Sequence, residues 1–360
     1  HRIQGWNQAL RLRNFYALNS GSEPRQEFAF EERKPGEGDF IYVDFNQDGA
    51  RQQFEYVYAP DIDTARNVRF QLFNSEYIQV HQASWNQVLQ IDLREFGAEG
   101  CRLCRMLRPL SLESTVRFTT KLGEETAWES RLNPLYFAFR PERSIAYQSF
   151  VRQTLYFQRG HPVFEFQIGL DHSGHKVSLT SGAEERKSLR PHFRMRVRAF
   201  NTTDLTLDVE QQFESRTAQL SPDQDYRLFT RALQPGVLWQ PSQHLRMEVR
   251  TGMRWVDDLL HGGEGSLLKT LSLETALSLS PGISLRWQTA YLHARYAGNT
   301  GELAAFHILQ GFRNGDNFSW ELQADARLSA LITLQLGYNG RKAAQAASLH
   351  TGRMQLRANF

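Results

Sequence analysis

The chain has 360 residues, 42 of them basic and 39 acidic, with a mean hydropathy of −0.52. This balance of charge indicates no nucleic acid partner, because proteins that bind polyanions carry a clear excess of positive charge. No run of about 18 apolar residues occurs, which excludes a transmembrane helix but not a transmembrane β-barrel, whose strands need apolar residues only at alternate positions. The sequence starts at His1 without a signal peptide, as expected of a mature protein or a fragment.

Residues 1–109 contain short apolar runs separated by glycine and proline turns such as Lys34–Gly38. The runs are Phe40–Val43, Val68–Phe73, Tyr77–Val80 and Val88–Ile91. Short runs bounded by turn residues are typical of strands, so this region is predicted to form a small N-terminal β domain.

Residues 44–55 of this domain have oxygen-bearing side chains at the first, third and fifth positions, glycine at the sixth and glutamate at the twelfth. Oxygen ligands in this order suit a hard cation, and the segment resembles the calcium loop of EF-hand proteins. The predicted Ca²⁺ ligands are the side chains of Asp44, Asn46, Asp48 and Glu55 and the main-chain carbonyl of Ala50. A strand precedes the loop, so no pair of helices flanks it. The alternative is a turn at Asn46–Gly49 that joins two strands without metal.

Cys101 and Cys104 form a single CxxC pair. A redox function would require a thioredoxin-like βαβ setting, which the sequence around them does not indicate. Arg105 follows where a haem attachment motif would have histidine. The pair is therefore predicted to form a small local disulfide or to remain as two free thiols.

From residue 110 onward, apolar and polar residues alternate with period two, which predicts long β-strands. The predicted strands are 110–122, 147–158, 163–171, 187–200, 203–214, 226–239, 244–256, 267–280, 283–296, 317–329, 332–340 and 349–360. Short and long connections alternate between them, as in outer-membrane barrels, where the long loops are extracellular. Ala304–Arg313 contains enough apolar residues for a further strand, but it is assigned to a long loop so that both barrel ends are periplasmic.

The polar face of these strands carries charges of both signs. The basic residues include Arg194, Arg196, Arg198, Arg246, Arg250, Arg254, Arg286, Arg327, Arg353 and Arg357, and the acidic residues include Glu165, Asp208, Glu210, Glu248, Glu274, Glu321 and Asp325. Arg194 and Arg196 are predicted to face Asp208 and Glu210 across the turn at 201–202. The interior is either closed by salt bridges, which the mixed signs favour, or an arginine-lined path for anions.

His172, Ser173 and His175, next to Asp171, are the only clustered candidates for a membrane-embedded hydrolase. They fall in a predicted extracellular loop, and no hydrolase motif surrounds the serine. A polar loop facing solvent is the favoured interpretation, and no enzymatic activity is expected.

The last nine residues, Gly352–Phe360, alternate strictly and end on phenylalanine. A carboxylate directly after an apolar aromatic suits a membrane interface better than a dry core. The segment resembles the C-terminal strand signal of Gram-negative outer-membrane β-barrels, which implies recognition by the barrel assembly machinery.

The sequence therefore predicts an all-β protein with a periplasmic N-terminal β domain at 1–109 and an antiparallel transmembrane β-barrel of about twelve strands at 110–360. It would lie in the outer membrane of a Gram-negative bacterium and serve as a structural anchor or pore, with a calcium-stabilised domain. Expected partners are outer-membrane lipid, the assembly machinery and other envelope or surface proteins. The alternative is a secreted, soluble all-β binding module that depends on calcium, because sandwich strands also alternate.

Overall fold

The structure is a computed structural model that describes residues 2–5, 9–24, 27–44, 48–59, 65–72, 77–95, 107–123, 144–179, 182–219, 225–260, 265–280, 282–297, 308–309, 312–329 and 331–358. Several residues singled out by the sequence lie outside these ranges, namely Asn46, Cys101, Cys104, Phe360 and most of the segment Ala304–Arg313. The predictions made for them stay predictions.

The described chain is built from β-strands and two short 3₁₀ turns, Gln53–Glu55 and Leu93–Glu95. In chain order the strands are β1 (Arg2–Gly5), β2 (Leu10–Pro24), β3 (Glu27–Glu32), β4 (Phe40–Tyr42), β5 (Tyr56–Tyr58), β6 (Asn67–Leu72), β7 (Tyr77–Asp92), β8 (Leu110–Leu122), β9 (Ala146–Phe157), β10 (Phe164–Leu179), β11 (Gly182–Phe200), β12 (Thr203–Ala218), β13 (Tyr226–Trp239), β14 (Leu245–Asp258), β15 (Gly265–Ser280), β16 (Ile283–Ala297), β17 (Gly315–Arg327), β18 (Ile332–Lys342) and β19 (Leu349–Ala358).

Fifteen of these strands form one sheet in the order β1, β2, β7 and then β8 through β19, and every neighbouring pair is antiparallel. Each strand after β7 pairs with the next one along the chain, so consecutive hairpins build this part of the sheet. β1 and β19 are its edge strands, and within the described residues no pairing joins them. The sheet is therefore open as described.

The two ends of the sheet differ in the length of their connections. At one end, which we call the short-turn end, the joins include 158–163, 201–202, 240–244, 281–282 and 328–331. The first of these turns has Gln158 at φ 57° and Gly160 at φ 70°, left-handed conformations that reverse the chain tightly. At the other, the long-connection end, the joins include 25–76, 123–145 and 298–314. The predicted alternation of short and long connections is present at these positions, but not throughout the sheet. The join 93–109 is long although it lies at the short-turn end, and the join 180–181 has two residues although it lies at the long-connection end.

The predicted strands from residue 110 onward agree closely with β8 to β19, but one predicted loop is wrong. Residues 172–186 lie largely within β10 and β11, which pair from Phe164↔Val197 to Leu179↔Gly182. The loop was predicted because apolar residues disappear from alternate positions here, with Gly174 and Lys176 among the replacements. Hydrogen bonding between strands continues regardless of whether their side chains are apolar.

The prediction of about twelve strands is not confirmed, because β1, β2 and β7 belong to the same sheet as β8 to β19. The predicted domain boundary between residues 109 and 110 falls between β7 and β8, which pair from His81↔Leu122 to Asp92↔Ser111. Only part of the N-terminal region is thus separate from the large sheet.

The separate part is a four-stranded sheet in the order β3, β6, β4 and β5, which we call the small sheet. It is inserted between β2 and β7, whose ends Pro24 and Tyr77 pair with each other. Those ends lie at the long-connection end, whereas β19 runs toward the short-turn end. The small sheet and the end of β19 therefore lie at opposite ends of the large sheet, which corrects the prediction of one shared, periplasmic side.

Two clusters of buried apolar side chains occur in the described structure. The larger one joins residues of β13 to β16 to Val57 of the small sheet, and the smaller one contains Phe118, Leu122 and Tyr147 of β8 and β9. None of the described helical segments is long and apolar enough to span a membrane.

Candidate functional site

The large sheet has one apolar face, which we call the outer face. Alternate side chains of β10 to β18 on this face are exposed although they are large and apolar, and they include Ile168, Leu205, Leu233, Met253, Trp287 and Leu336. Trp239 lies on it next to the short-turn end and Trp255 toward the long-connection end. Within the described residues no second layer of the protein buries these side chains, which were predicted to face lipid.

The opposite, inner face carries a ladder of ion pairs. Asp171 of β10 is only 7% exposed and accepts hydrogen bonds from Arg152 Nε at 2.8 Å and Arg190 Nη2 at 2.7 Å. Both arginines sit directly opposite Asp171 in the register of the neighbouring strands. Arg190 also lies 3.9 Å from Glu210 of β12. Charges of opposite sign thus cross four adjacent strands.

Nearer the short-turn end, the predicted pair between Arg194 and Asp208 is confirmed, with Arg194 Nε 2.5 Å from Asp208 Oδ1. Arg196 does not pair with Glu210 as predicted. Its guanidinium lies 3.5 Å from both Glu165 and Asp204 instead. The inner wall in this region consists of mutually compensating charges, as the salt-bridged interpretation predicts.

At the long-connection end, the inner face changes from charged to apolar. We call the group formed by Tyr226, Leu228, Leu268, Leu292 and Tyr296 the mouth cluster, and all five side chains are buried. The described residues Ile308 and Leu309, from the segment assigned to a loop, are buried in the same cluster. Residues on the inner wall of a water-filled barrel have no reason to be apolar unless protein covers them.

The small sheet covers the mouth cluster. Val57 of β5 is 8% exposed and belongs to this buried cluster, while Ile41 of β4 and the adjoining Val43 pack against it. Strands β4 and β5 pair with each other, with Ile41 opposite Val57. One face of this hairpin is therefore seated on the inner wall at the mouth of the sheet.

The predicted calcium loop, residues 44–55, connects β4 to β5 and so joins the two strands that contact the mouth cluster. Oxygen atoms of Asp44, Asp48 and Glu55 lie within 4.8 Å of one another. Gly49 has φ 72° and donates its N–H to Asp44 Oδ2 at 3.1 Å. The structure thus brings together three of the predicted side-chain ligands around a sharp turn at glycine.

Two buried oxygens of this loop have the character of cation ligands. Asp44 Oδ1 and Glu55 Oε1 are buried without a hydrogen-bond partner, and Glu55 is completely buried. Buried carboxylate oxygens without donors are costly, so they occur where an ion or water satisfies them. Glu55 Oε2 is held by the Gln52 N–H at 3.0 Å, and Asp48 accepts hydrogen bonds from Ala50 N and Gln52 Nε2 at 2.6 Å each. Hydrogen bonds therefore orient the carboxylates while leaving two oxygens for a ligand.

The electrostatics of the loop agree with this arrangement. Burial raises the pKa of the Glu55 carboxyl above its ordinary value, the hydrogen bond from Gln52 opposes the rise, and the carboxylates of Asp44 and Asp48 add to it. Burial likewise raises the pKa of Tyr42, whose phenol is next to Glu55. Three crowded carboxylates repel one another unless a cation neutralises them.

The hydrolase candidates do not form a site. His172 and Ser173 are consecutive residues of β10 and therefore point to opposite faces of the sheet. Asp171, the only acid beside them in sequence, is already held by Arg152 and Arg190. His175 is two residues from Ser173 and shares its face of the sheet, but among the described contacts no hydrogen bond joins its ring to the serine.

The mouth cluster was missed by sequence reasoning. Its signal is a loss of alternation near the long-connection end, where Leu267 and Leu268 are consecutive and where Leu292, Ala294 and Tyr296 occupy inner-face positions. Apolar residues on both faces of a strand indicate that something covers the second face.

No family model matches the chain, and no curated protein matches it. It is similar in structure to the siderophore receptor PirA from Acinetobacter baumannii, with TM-score 0.42, 9% identity and coverage of 78% of this chain and 49% of that one. It is also similar to the ferric enterobactin receptor PfeA from Pseudomonas aeruginosa, with TM-score 0.44, 10% identity and coverage of 95% and 52%. A third similar structure is the outer membrane channel DcaP of A. baumannii, with TM-score 0.37, 10% identity and coverage of 97% of this chain and 96% of that one. The chain spans about half the length of the two receptors.

Proposed function

We propose that the chain is a β-barrel of the outer membrane of a Gram-negative bacterium, and that it forms a pore whose mouth is covered by the small sheet. The observation that carries this proposal is the division of the large sheet into an exposed apolar face and a face of ion pairs. An apolar face of this extent is unfavourable in water and is satisfied by hydrocarbon.

The height of the apolar band fits a membrane. On β11 it is formed by Leu189, Pro191, Phe193, Met195 and Val197. Eight residue steps extend about 27 Å along a strand, or about 20 Å in height at a tilt near 40°. This is close to the roughly 25 Å band of outer-membrane barrels. Beyond it, the outer face of the β10–β11 hairpin becomes polar at Gly174, Lys176 and Lys187, so the hairpin extends above the membrane.

We infer that the barrel closes by pairing β2 with β19. Leaving out the four-residue β1 from the fifteen described strands of the large sheet gives fourteen, an even number as bacterial barrels have. β2 and β19 then run in opposite directions, as antiparallel pairing requires. β1 pairs with residues 10–13 of β2 and leaves residues 14–24 of that edge for β19.

Calcium is the proposed ligand of the acidic loop, held by Asp44, Asp48 and Glu55 together with Asn46 and the carbonyl of Ala50. The crowded carboxylates and the two buried oxygens without partners support it. Because the loop joins β4 to β5, an ion there would fix the hairpin that lies on the mouth cluster. The calcium site would thus stabilise the covered state of the pore.

The expected partners follow from this placement. Lipid contacts the outer face, and the barrel assembly machinery inserts the chain. Other envelope or surface proteins are proposed to contact the small sheet, which then serves as an anchor at the long-connection end.

The membrane location is tested by extraction. A barrel requires detergent, and in detergent it migrates faster on an unheated gel than after boiling, because the closed sheet resists unfolding. Recovery of the folded chain in aqueous buffer without detergent would support the soluble calcium-binding module instead and would refute the proposal.

The pore is tested by conductance in planar bilayers, with calcium and with a chelator. We expect small or absent currents with calcium and larger currents after chelation, because the small sheet loses its fixed hairpin. Equal currents in both conditions would contradict the proposed calcium dependence. A mutant lacking residues 27–72 removes the small sheet altogether. If neither the wild type in both conditions nor this mutant gives any current, the chain does not form a pore.

A further inference from the structure

In the described strands, the outer face is basic only at the long-connection end. In the described strands β9 to β19, the lysines and arginines that share the outer face are Lys176, Lys187, Arg227, Arg231, Lys269, Arg295 and Lys342. All of them lie in the half of their strand that is near this end. The outer face near the short-turn end has apolar residues instead, such as Trp239, Leu279 and Ile283.

Four of these cations, Arg231, Lys269, Arg295 and Lys342, form a continuous group that we call the cationic rim. Arg231 and Arg295 share one row of the sheet, because Arg231 is opposite Trp255, Trp255 is opposite Leu267 and Leu267 is opposite Arg295. Lys269 is in the next row toward the short-turn end. Lys342, opposite Phe318, is one further row toward that end. The rim thus spans β13 to β18 within three consecutive rows.

The rim borders directly on the apolar band. The rows that contain it also hold Trp255, Met253 and Phe318, which are exposed on the same face. A ligand that lies here meets cations at one end and apolar side chains at the other. This combination fits a phosphorylated lipid whose acyl chains run down the apolar band.

The acidic residues of the rim do not cancel its charge. Asp257 is paired with Arg231 at 2.8 Å. Asp316 accepts hydrogen bonds from Tyr291 at 2.7 Å and contacts His293 at 2.6 Å. Lys269, Arg295 and Lys342 have exposed side chains and no acidic residue directly opposite them in the described register. Arg295 Nε donates a hydrogen bond to His293 Nε2 at 3.3 Å, so it is joined to Asp316 through His293. The rim holds four cations against the two carboxylates of Asp257 and Asp316. The rim therefore keeps an excess of positive charge.

We propose that the cationic rim binds the phosphate groups of lipid in the membrane leaflet at the long-connection end. This inference rests on the proposed membrane location and adds the partner of the outer face. Apolar contacts alone do not distinguish one leaflet from the other, whereas cations restricted to one end of the barrel select a leaflet with anionic headgroups.

The test uses the full chain in neutral detergent, with diphosphorylated lipid A as the probe and native mass spectrometry or a fluorescence titration as the measurement. A cation near a lipid surface contributes a factor of about five to binding, so the triple variant K269Q/R295Q/K342Q is expected to bind roughly a hundredfold more weakly. The control variant R286Q/R353Q/R357Q removes the same charge from the inner face and is expected to bind like the wild type.

Two further arms identify the source of the phosphate. Lipid A without phosphate groups is expected to bind the wild type and the triple variant equally, and inorganic phosphate at equal concentration is expected not to compete. Unchanged affinity in the triple variant, or competition by free phosphate, would overturn the proposal. If the triple variant fails the unheated-gel test for folding, the single variant K269Q is used instead. Its affinity for lipid A is expected to be about fivefold lower than that of the wild type, and an unchanged affinity would refute the proposal. A chain that proves soluble would refute the membrane location, a result the gel gives before any lipid is added.

Discussion

Substituting Val57 by aspartate tests whether the small sheet holds the mouth closed. Val57 is 8% exposed and belongs to the same buried cluster as Tyr226 and Leu268 of the inner wall. Among the described residues of the small sheet and its connections, the other apolar side chains that pack against this cluster are Ile41 and Val43. The contact is therefore small, and one central change is expected to break it.

The magnitude follows from burial. Each apolar side chain contributes about 1.5–3 kcal/mol when fully buried, so three give at most about 9 kcal/mol and less here, because two are only partly buried. Val57→Asp removes about 2 kcal/mol of this and adds several kcal/mol for a carboxylate without a partner. A total near 5 kcal/mol shifts the ratio of covered to uncovered mouths by more than about a thousandfold.

The assay is single-channel conductance of the purified chain in planar bilayers with calcium present. Val57→Asp is expected to give a persistent open current, whereas the wild type stays mostly closed. The control is Tyr58→Asp, which places the same charge on the adjacent residue, whose side chain is 64% exposed. Equal conductance of wild type and Val57→Asp would refute the reasoning that these contacts close the pore. An open current in Tyr58→Asp as well would show that the charge, and not the contact, is responsible.

Three further predictions concern the acidic loop and the inner wall. Glu55→Gln is expected to abolish the calcium-dependent rise in the unfolding temperature of the small sheet, measured by calorimetry. The control Glu37→Gln changes an exposed residue and is expected to leave this rise unchanged. A calcium response that persists in Glu55→Gln would contradict the site. The pKa of Glu55 is raised in the folded state, so folding favours its protonated form. Without calcium, the stability of the small sheet is therefore expected to fall as pH rises above the ordinary glutamate pKa of 4.5. Calcium affinity is expected to rise over the same pH range, because the ion binds the ionised carboxylate. A calcium titration at several pH values checks both trends, and an affinity that falls with pH would exclude carboxylate ligands. Asp171→Asn leaves Arg152 and Arg190 without their carboxylate. It is expected to lower the free energy of unfolding by about 1–3 kcal/mol, measured by guanidinium unfolding in detergent. A decrease below about 0.5 kcal/mol would show that these ion pairs do not stabilise the fold.

The sequence predicted β8 to β19 well because one face of these strands is apolar and the other polar, which imposes a strict rule on alternate residues. Residues 189–197 and 245–255 follow that rule, and the strands there end within two residues of the predicted positions. Where the rule relaxes, the prediction failed. The outer positions of β7 hold His81, Ala83, Trp85 and Gln87, a mixture that hides a strand of the same sheet.

The candidate site was predictable in part for a related reason. The ligands of the acidic loop are close in sequence, so their spacing indicates a shared ion without knowledge of the fold. The mouth cluster joins Val57 to Tyr226 and Leu292, residues more than a hundred positions apart, and no local pattern pairs them. The side of the small sheet was also mispredicted, because it depends on the direction of β2, a strand that the sequence did not reveal.

Three features distinguish the long-connection end from the other. Most of the longer joins, the small sheet with its acidic loop, and the cationic rim lie there. In the proposed membrane location, each would have a physical reason to be outside the cell. Long loops of outer-membrane barrels are extracellular, and calcium loops of modest affinity are saturated only where calcium is abundant, as it is outside cells. Cations on a lipid-facing surface need an anionic leaflet. In the proposed orientation the small sheet would be an outer cover of the proposed pore, so a change in external calcium would act on the mouth directly, without a signal crossing the membrane.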